Sequence, residues 1–326
     1  MTDFSPGASI LPEPANNSIE SGLKTPVLLL VFNRPRLTAE VFEALRKVRP
    51  ARLYIAADGP RENHPEDQRK VAEVRTIVQQ IDWPCQLFKL FREHNRGCKH
   101  GVSEAISWFF SQEDQGIILE DDILPEPRFF HFIEKGLNTH RENSSIGAVC
   151  GYNLLGAGPD NRPFLAHYPH IWGWGTWSRV WSHYQVDPDL SDAEYHRVFS
   201  QHLGHAKAAK GLTGIGRLLR QGKFNSWDFQ LGLLFCRRRL LALYPPINLA
   251  ANIGFGPDAT HTENGCSAPT YPDTPFVWEE HEPRINREYD RLRLDKEFPG
   301  TGKIIKQRLA NLRKKLVRKV SLANNI

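Results

Sequence analysis

The stretch "GIILEDDILPEPRFF", residues 116–130, decides the reading of the chain. Ile117, Ile118 and Leu119 form an apolar run that reads as a buried strand. Glu120, Asp121 and Asp122 follow at once, setting three carboxylates side by side. Like charges that close repel, and withdrawing them from water costs several kcal/mol unless something compensates. The location of the triplet and the source of the compensating charge are the two questions the sequence poses.

Working back from this stretch, the same pattern recurs. "TPVLLLVFNRP" (25–35) is an apolar run stopped by Asn33, Arg34 and Pro35, and "RLYIAADGP" (52–60) is another, stopped by Asp58-Gly59-Pro60. "CQLFKLFRE" (85–93) reads as a further strand. Between them, "RLTAEVFEALRKVR" (36–49), "EDQRKVAEVRTIVQQI" (66–81) and "GVSEAISWFFSQ" (101–112) carry helical spacing. Strands alternating with helices predict an α/β fold, a Rossmann-like, mostly parallel sheet flanked by helices. Ligands in such sheets bind beyond the carboxyl ends of the strands. Asn33-Arg34, Asp58-Gly59 and the acidic triplet all fall there, so three clusters distant in sequence are expected along one rim.

The bulk numbers are those of a globular protein: 326 residues, 40% hydrophobic and 24% charged, enough to bury a sizeable core. Five cysteines without a C-x-x-C pair argue against a disulfide framework or a zinc site and suit a cytoplasmic setting. The start lacks the order of a signal peptide, and residues 1–24 read as a loose, polar arm. The net charge of +5 is uneven: residues 301–326 hold eight Lys/Arg and no acid, while the preceding 300 carry 34 basic and 37 acidic groups. The body is therefore not built for polyanions, and nucleic acid is not an expected partner.

A carboxylate cluster without thiol or imidazole partners suits a hard cation, Mg²⁺ or Mn²⁺, that completes its shell with water and substrate phosphates. An exposed acidic turn with no metal is the plainer alternative. Asp58 can accept from a base or ribose, or simply serve an Asp-Gly turn. Arg34 can stack on a base or pair with phosphate, or be a solvated loop residue. Trp174, Trp177 and Trp181 fall at helical spacing, which reads as a core stripe. The "WGWG" head suggests instead a loop close to a ligand, with Trp172 and Trp174 walling a sugar. No Gly-rich phosphate loop, Walker sequence or G-x-S-x-G elbow is found.

The ordered pieces "VLLLVFNRP", "YIAADGP", "ILEDDILPEPRFFHF", "YPHIWGWGTWSRVW", "SWDFQLG" and "LYPPINLAANIGFG" together resemble a GT-A glycosyltransferase, the nucleotide-diphospho-sugar transferase fold. They are closest in kind to the inverting N-acetylglucosaminyltransferase I type and related bacterial family 2-type sugar transferases. The resemblance runs from about residue 25 to 262. It implies a nucleotide-sugar-binding half (25–150) and an acceptor-binding half (151–262), followed by a surface-hugging extension (263–300). By the same resemblance, Arg34 and Asp58 hold the uracil and ribose of a UDP-sugar and Asp122 is the direct metal ligand. Asp121 and Glu120 contact ribose, sugar or metal-bound water. Asp228 is the general base, His261 approaches the diphosphate or metal, and the segment of Trp172 and Trp174 lies beside the active site. The family's Trp-Asp-Asp reads Trp227-Asp228-Phe229 here, which leaves one candidate base.

The expected activity is therefore metal-dependent, inverting transfer from a nucleotide sugar, most simply a UDP-sugar, to a glycan or lipid-linked acceptor. A Mg²⁺-dependent nucleotidyltransferase or phosphohydrolase is one alternative, and "NRPRLT" in place of a Gly-rich loop disfavours the nucleotidyltransferase. A non-catalytic glycan- or membrane-surface-binding protein is another. Residues 301–326 place Ile305, Leu309, Leu312, Leu316 and Val320 on one helical face with Lys and Arg opposite. Such a basic amphipathic C-terminal helix is expected to lie on an anionic membrane surface or to pack against protein.

Overall fold

The computed structural model describes residues 22–156, 161–255 and 283–299, with the backbone alone of residues 9–10 and 277–278. Most of the 1–24 arm, His261 and the 301–326 segment lie outside the described residues. β1 (Ser9–Ile10) pairs with a late strand, given below. The chain then alternates as expected: β2 (Val27–Val31), α1 (Pro35–Val48), β3 (Arg52–Ala57), α2 (Pro65–Ile77), β4 (Gln86–Phe91), α3 (Gly97–Phe110) and β5 (Gln115–Glu120). Three of these strands are covered along almost their whole length, as continuous apolar runs demand. β4, with no residue fully buried, is an open edge of the sheet.

The second half continues with β6 (Ile123–Pro125), α4 (Pro127–Thr139), β7 (Ile146–Cys150), β8 (Phe164–Ala166), β9 (Trp174–Trp177) and the short α5 (Ser178–Trp181). Then come α6 (Asp192–Leu203), α7 (Ala206–Arg220), α8 (Asp228–Arg238), β10 (Leu241–Tyr244), β11 (Ala250–Asn252), β12 (Val277–Trp278) and α9 (Arg287–Glu297). One eight-stranded sheet has the order β4-β3-β2-β5-β9-β7-β10-β8. β4, β3, β2 and β5 are mutually parallel, β9 runs antiparallel between β5 and β7, and β10 pairs parallel with β7. Two small antiparallel pairs, β1 with β12 and β6 with β11, lie apart from it.

The strand order locates the site. From β2 the chain moves outward through β3 to β4, then returns across the sheet to place β5 on the other side of β2. Right-handed crossovers then put α1 and α2 on one face and α3 on the other. Neighbouring glycines place α4 opposite α3. A Cβ on Gly116 would strike Phe109 of α3, whereas one on Gly175, the partner of Ile117 in β9, would strike Ile133 of α4. Successive strand residues face opposite ways, so α3 and α4 cover opposite faces. The gap between β2 and β5 is the topological switch point where such folds bind ligands.

A separate helical layer of α6, α7 and α8 packs around Tyr195, Phe199, Leu212 and Phe229. Of the expected 263–300 extension, the described residues 283–299 do more than hug the surface. α9 buries Tyr289, Asp290, Arg293 and Leu294, and residues just before it bond to β8.

At the end of β3, Gly59 lies so close to the neighbouring loop that a Cβ would sit 2.4 Å from the backbone carbon of His94. Gly59→Ala should therefore lower stability by about 2 kcal/mol or more. Gly214→Ala, in α7 with open space around it, should be neutral or stabilising by about 0.5–1 kcal/mol. Urea-unfolding midpoints of the two variants check the contrast.

Candidate active site

Parallel pairing of β2 with β5 sets Leu30 beside Glu120, so the residues that follow each strand meet. Arg34, just before α1, reaches across to both aspartates. Its Nη1 donates to Asp122 Oδ2 at 2.5 Å, and its Nη2 lies 3.1 Å from Asp121 Oδ1. The Phe32 N–H donates to the other oxygen of Asp121 at 3.2 Å. Asp121 is 2% exposed. Withdrawal from water raises the carboxyl pKa values of Glu120 and Asp121, and the neighbouring acids add to the rise while Arg34 opposes it. Burial by itself works against the Arg34 cation, but Asp121, Asp122 and Glu120 outweigh it and hold its pKa above the ordinary value. The floor beneath is tight: a Cβ on Gly254 would stand 2.5 Å from Asp122 Oδ2, and Ile253 N–H donates to the Asp122 carbonyl.

The sequence thus brought Arg34 to the right rim, with a different partner. It bridges Asp121 and Asp122 of the triplet, and Asp58 occupies the adjoining loop junction. The Asp58 carboxylate accepts from the N–H groups of Gly59, Arg96 and Gly97 at 2.9–3.1 Å and from Asn95 Nδ2 at 3.1 Å. It caps the N-terminus of α3 from a distant loop, and any contact with a nucleoside competes with that cap.

The first turn of α3 joins the triplet to Asp228. Cys98 in that turn is pushed up to about 12 by burial first, and then by the charges of Glu120 and Asp228. It is a protonated thiol between two acids, not a nucleophile. Asp228 also adds to the rise at Glu120, so the two carboxylates lie within electrostatic reach of each other. Lys99 N–H donates to Asn225 Oδ1 at 3.1 Å, which fastens the loop before Asp228 onto α3. Asp228 opens α8, half-buried, and accepts a hydrogen bond from Ser226 Oγ. Phe229, where the family has a second acid, is 3% exposed and points into the helical layer against Tyr195, Phe199 and Phe224.

Beyond Asp228 opens a pocket of about 300 Å³, walled in part by Trp172, Phe224 and Phe229. Trp172 is half-exposed and meets Tyr152, His170 and Phe255 edge-on or tilted. Trp174 is a correction. It is 1% exposed, stacked on Trp227 at 5.8 Å, and it belongs to the core. Trp174 and Trp177 lie on β9, between two other strands, and not on a helix.

Carboxylate oxygens are the right donors for a hard divalent cation, and three acids against one guanidinium leave the rim with a formal surplus of two negative charges, which the raised carboxyl pKa values of Glu120 and Asp121 lessen by proton uptake. Among the described residues no group of three or more His, Cys, Asp and Glu is arranged to hold a metal ion. The residues present fit a cation that takes the rest of its shell from phosphate and water, as Mg²⁺ and Mn²⁺ do. Among the described residues no helix is long and apolar enough to cross a membrane.

No protein-family model matches the chain, and no curated protein matches it. Solved structures overlap it loosely. HddC from Yersinia pseudotuberculosis is 8% identical, covering 49% of this chain and 80% of its own, with a TM-score of 0.31. The inositol-1-phosphate CTP transferase from T. maritima is 10% identical, covering 52% and 78%, with a TM-score of 0.31. UDP-glucose pyrophosphorylase complexed with UDP-glucose is 9% identical, covering 69% and 91%, with a TM-score of 0.34. Overlaps this loose assign neither a family nor an activity.

The rim is braced by an acid outside the triplet. Asp67 of α2 accepts from Asn33 Nδ2 at 2.7 Å and from Arg61 Nε at 2.6 Å. The Arg61 hydrogen bond above all, against the cost of burial, lowers its pKa from 3.8 to about 2. The stabilisation is fully present above the unfolded value near 3.8 and is lost as pH falls toward 2. Between pH 5 and 2.5 the wild type should lose about 1 kcal/mol more than Asp67→Asn, a figure discounted for the partly exposed Arg61. Denaturant titrations across that range measure the difference.

Proposed function

We propose that the protein is a metal-dependent, inverting glycosyltransferase that moves a sugar from a nucleotide sugar, in the first instance a UDP-sugar, to an acceptor hydroxyl. The observation that carries the reading is that Asp228 lines the aromatic pocket while its charge also bears on Glu120 at the switch point. A group transfer by single displacement needs these parts in this order: a place for an anionic leaving group, a separate carboxylate, and room for an acceptor.

Asp122, at the rim, would hold a divalent cation, Mn²⁺ or Mg²⁺, with Asp121 and Glu120 behind it. His261 belongs to the same proposal from outside the described residues. When bound, such an ion supplies charge stabilisation for a departing nucleoside diphosphate. The chain's own residues do the rest. Arg34 keeps the aspartates aligned and offers a cation to the phosphates. Asp228, oriented by Ser226, takes the proton of the acceptor hydroxyl as it attacks. Trp172 offers a flat apolar face against which a sugar ring packs. Peripheral attachment of residues 301–326 to an anionic membrane surface is part of the reading. Full-length protein should co-sediment with anionic vesicles more than a truncation at residue 300, and equal sedimentation would sink this element.

The activity itself is tested with a panel of UDP- and GDP-sugars and Mn²⁺, reading donor-induced thermal shift and nucleotide release. A metal-dependent response to at least one donor is expected. Asp122→Asn should weaken metal and donor binding together. Asp228→Asn should keep the donor response and cut transfer by about 10²–10⁴-fold. Absence of any metal-dependent donor response overturns the reading. Pyrophosphate release from a nucleoside triphosphate and a sugar phosphate would replace it with nucleotidyl transfer.

A further inference from the structure

The pocket beyond Asp228 is closed on one side by α9, which lies outside the segment that resembles a transferase. Arg293 of this helix is 2% exposed. Its Nη1 donates to the Tyr168 carbonyl and to Tyr244 Oη, each at 2.5 Å, and its Nη2 donates to the Pro169 carbonyl at 2.8 Å. Its Nε donates to Glu297 Oε1 at 3.0 Å. At least four of the five N–H groups of the guanidinium are therefore spent on the protein. It pins the segment leading to Trp172 and has little to offer a ligand.

Glu297, one turn further on, lines the pocket with its side chain 27% exposed, and Arg293 occupies one of its oxygens. Asp228 lines the same pocket. His170, also in the lining, is kept neutral by burial first and by Arg293 second. Among the described residues the cavity thus holds two carboxylates and one committed cation, a surplus of one negative charge. Its other walls are aromatic or aliphatic, with Trp172, Phe224 and Phe298 among them. Carboxylate acceptors set in aromatic walls suit hydroxyl groups and the apolar face of a pyranose. Among the described residues, a phosphate, uronate or sialate would meet two carboxylates with no free cation.

We infer that this cavity takes an uncharged glycosyl unit of the acceptor, and that Glu297 selects it, accepting a hydroxyl hydrogen bond and repelling anionic sugars. The inference rests on the transferase reading, because Asp228 is the base the bound hydroxyl would face. It assigns the binding element to α9 and excludes acceptors whose reacting sugar is anionic.

The test uses saturation-transfer NMR on the full chain with three pairs of probes: the methyl glycosides of glucose, galactose and mannose, and the matching methyl uronides. At least one neutral glycoside should bind, with its uronide at least tenfold weaker. Glu297→Gln should narrow that gap about tenfold, because a hydrogen bond to a charged group and a repulsion are lost together. Since Glu297 also holds Arg293, thermal unfolding is read for the variant. Ile215→Lys, from the α7 side of the pocket, adds a cation without touching that pair and should narrow the gap as well. Binding of no neutral glycoside, equal binding of a uronide, or an unchanged gap in both variants overturns the inference. The donor-induced shift of the wild type is recorded on the same samples. If donors bind and glycosides do not, this inference falls and the transferase reading stands. If glycosides bind as expected and no nucleotide sugar does, the transferase reading falls and the cavity remains a neutral-sugar site.

Discussion

Everything at the candidate site depends on the clasp between Arg34 and the two aspartates that follow β5. The clasp exists because β2 and β5 are adjacent and parallel, with Leu30 level with Glu120, so both chains leave the sheet at the same height. A slip of one residue would turn the inward set of side chains outward and carry the acids away from the guanidinium. The pairing answers the repulsion posed by three consecutive acids, and it answers it only in part. One guanidinium against three carboxylates leaves an enclosure that is still short of positive charge. Burial first and the neighbouring acids after it hold the carboxyl pKa values of Glu120 and Asp121 above the ordinary range. A structural ion pair would be expected to balance; this one is built with a remainder.

The first half of the fold was legible because its physics is local. Val27–Val31, Arg52–Ala57 and Gln115–Glu120 are covered strands, and only near-continuous apolar runs can occupy such places. The helices between them begin at prolines or glycine and follow the expected period. The triplet and Arg34 were legible as neighbours on one rim, because strand ends are visible in a chain, whereas Asp228 was singled out by the resemblance. Their mutual partners were not legible. Arg34 could be read as a ligand for phosphate or base; that it clasps Asp121 and Asp122 depends on a strand pairing across about 90 residues of sequence.

Two misreadings share a physical origin. Trp174 and Trp177 are three apart, which suits a helix, but a strand buried on both faces imposes no period, and β9 is such a strand. α9 looked like surface because "REYDRLRLDKE" is dominated by charge. Its buried face carries Arg293, made tolerable there by the carbonyls of Tyr168 and Pro169 and by Tyr244, all distant in sequence. Hydropathy cannot see a buried charge whose partners lie elsewhere in the chain. Phe229 is the converse case. It departs from the family's second acid, and its place is inside the helical layer with Tyr195 and Phe199, where an acid would have no partner.

The rim and the cavity are both negative, and Asp228 stands between them. In the proposed reaction the nucleoside diphosphate gains negative charge on the rim side as it departs. At the same moment Asp228 loses its own charge by taking the acceptor's proton. Because Asp228 bears on Glu120 and on Cys98, its neutralisation eases the enclosure as the leaving group loads it. The total charge of the site is conserved while its centre moves from the acceptor side to the donor side. A second acid at position 229 would be no help in that transfer, since the position packs into the helical layer against Tyr195 and Phe199 and only walls the cavity. One base, held by Ser226 and opposed to an acid cluster with a built-in deficit of cation, is enough to couple the two ends.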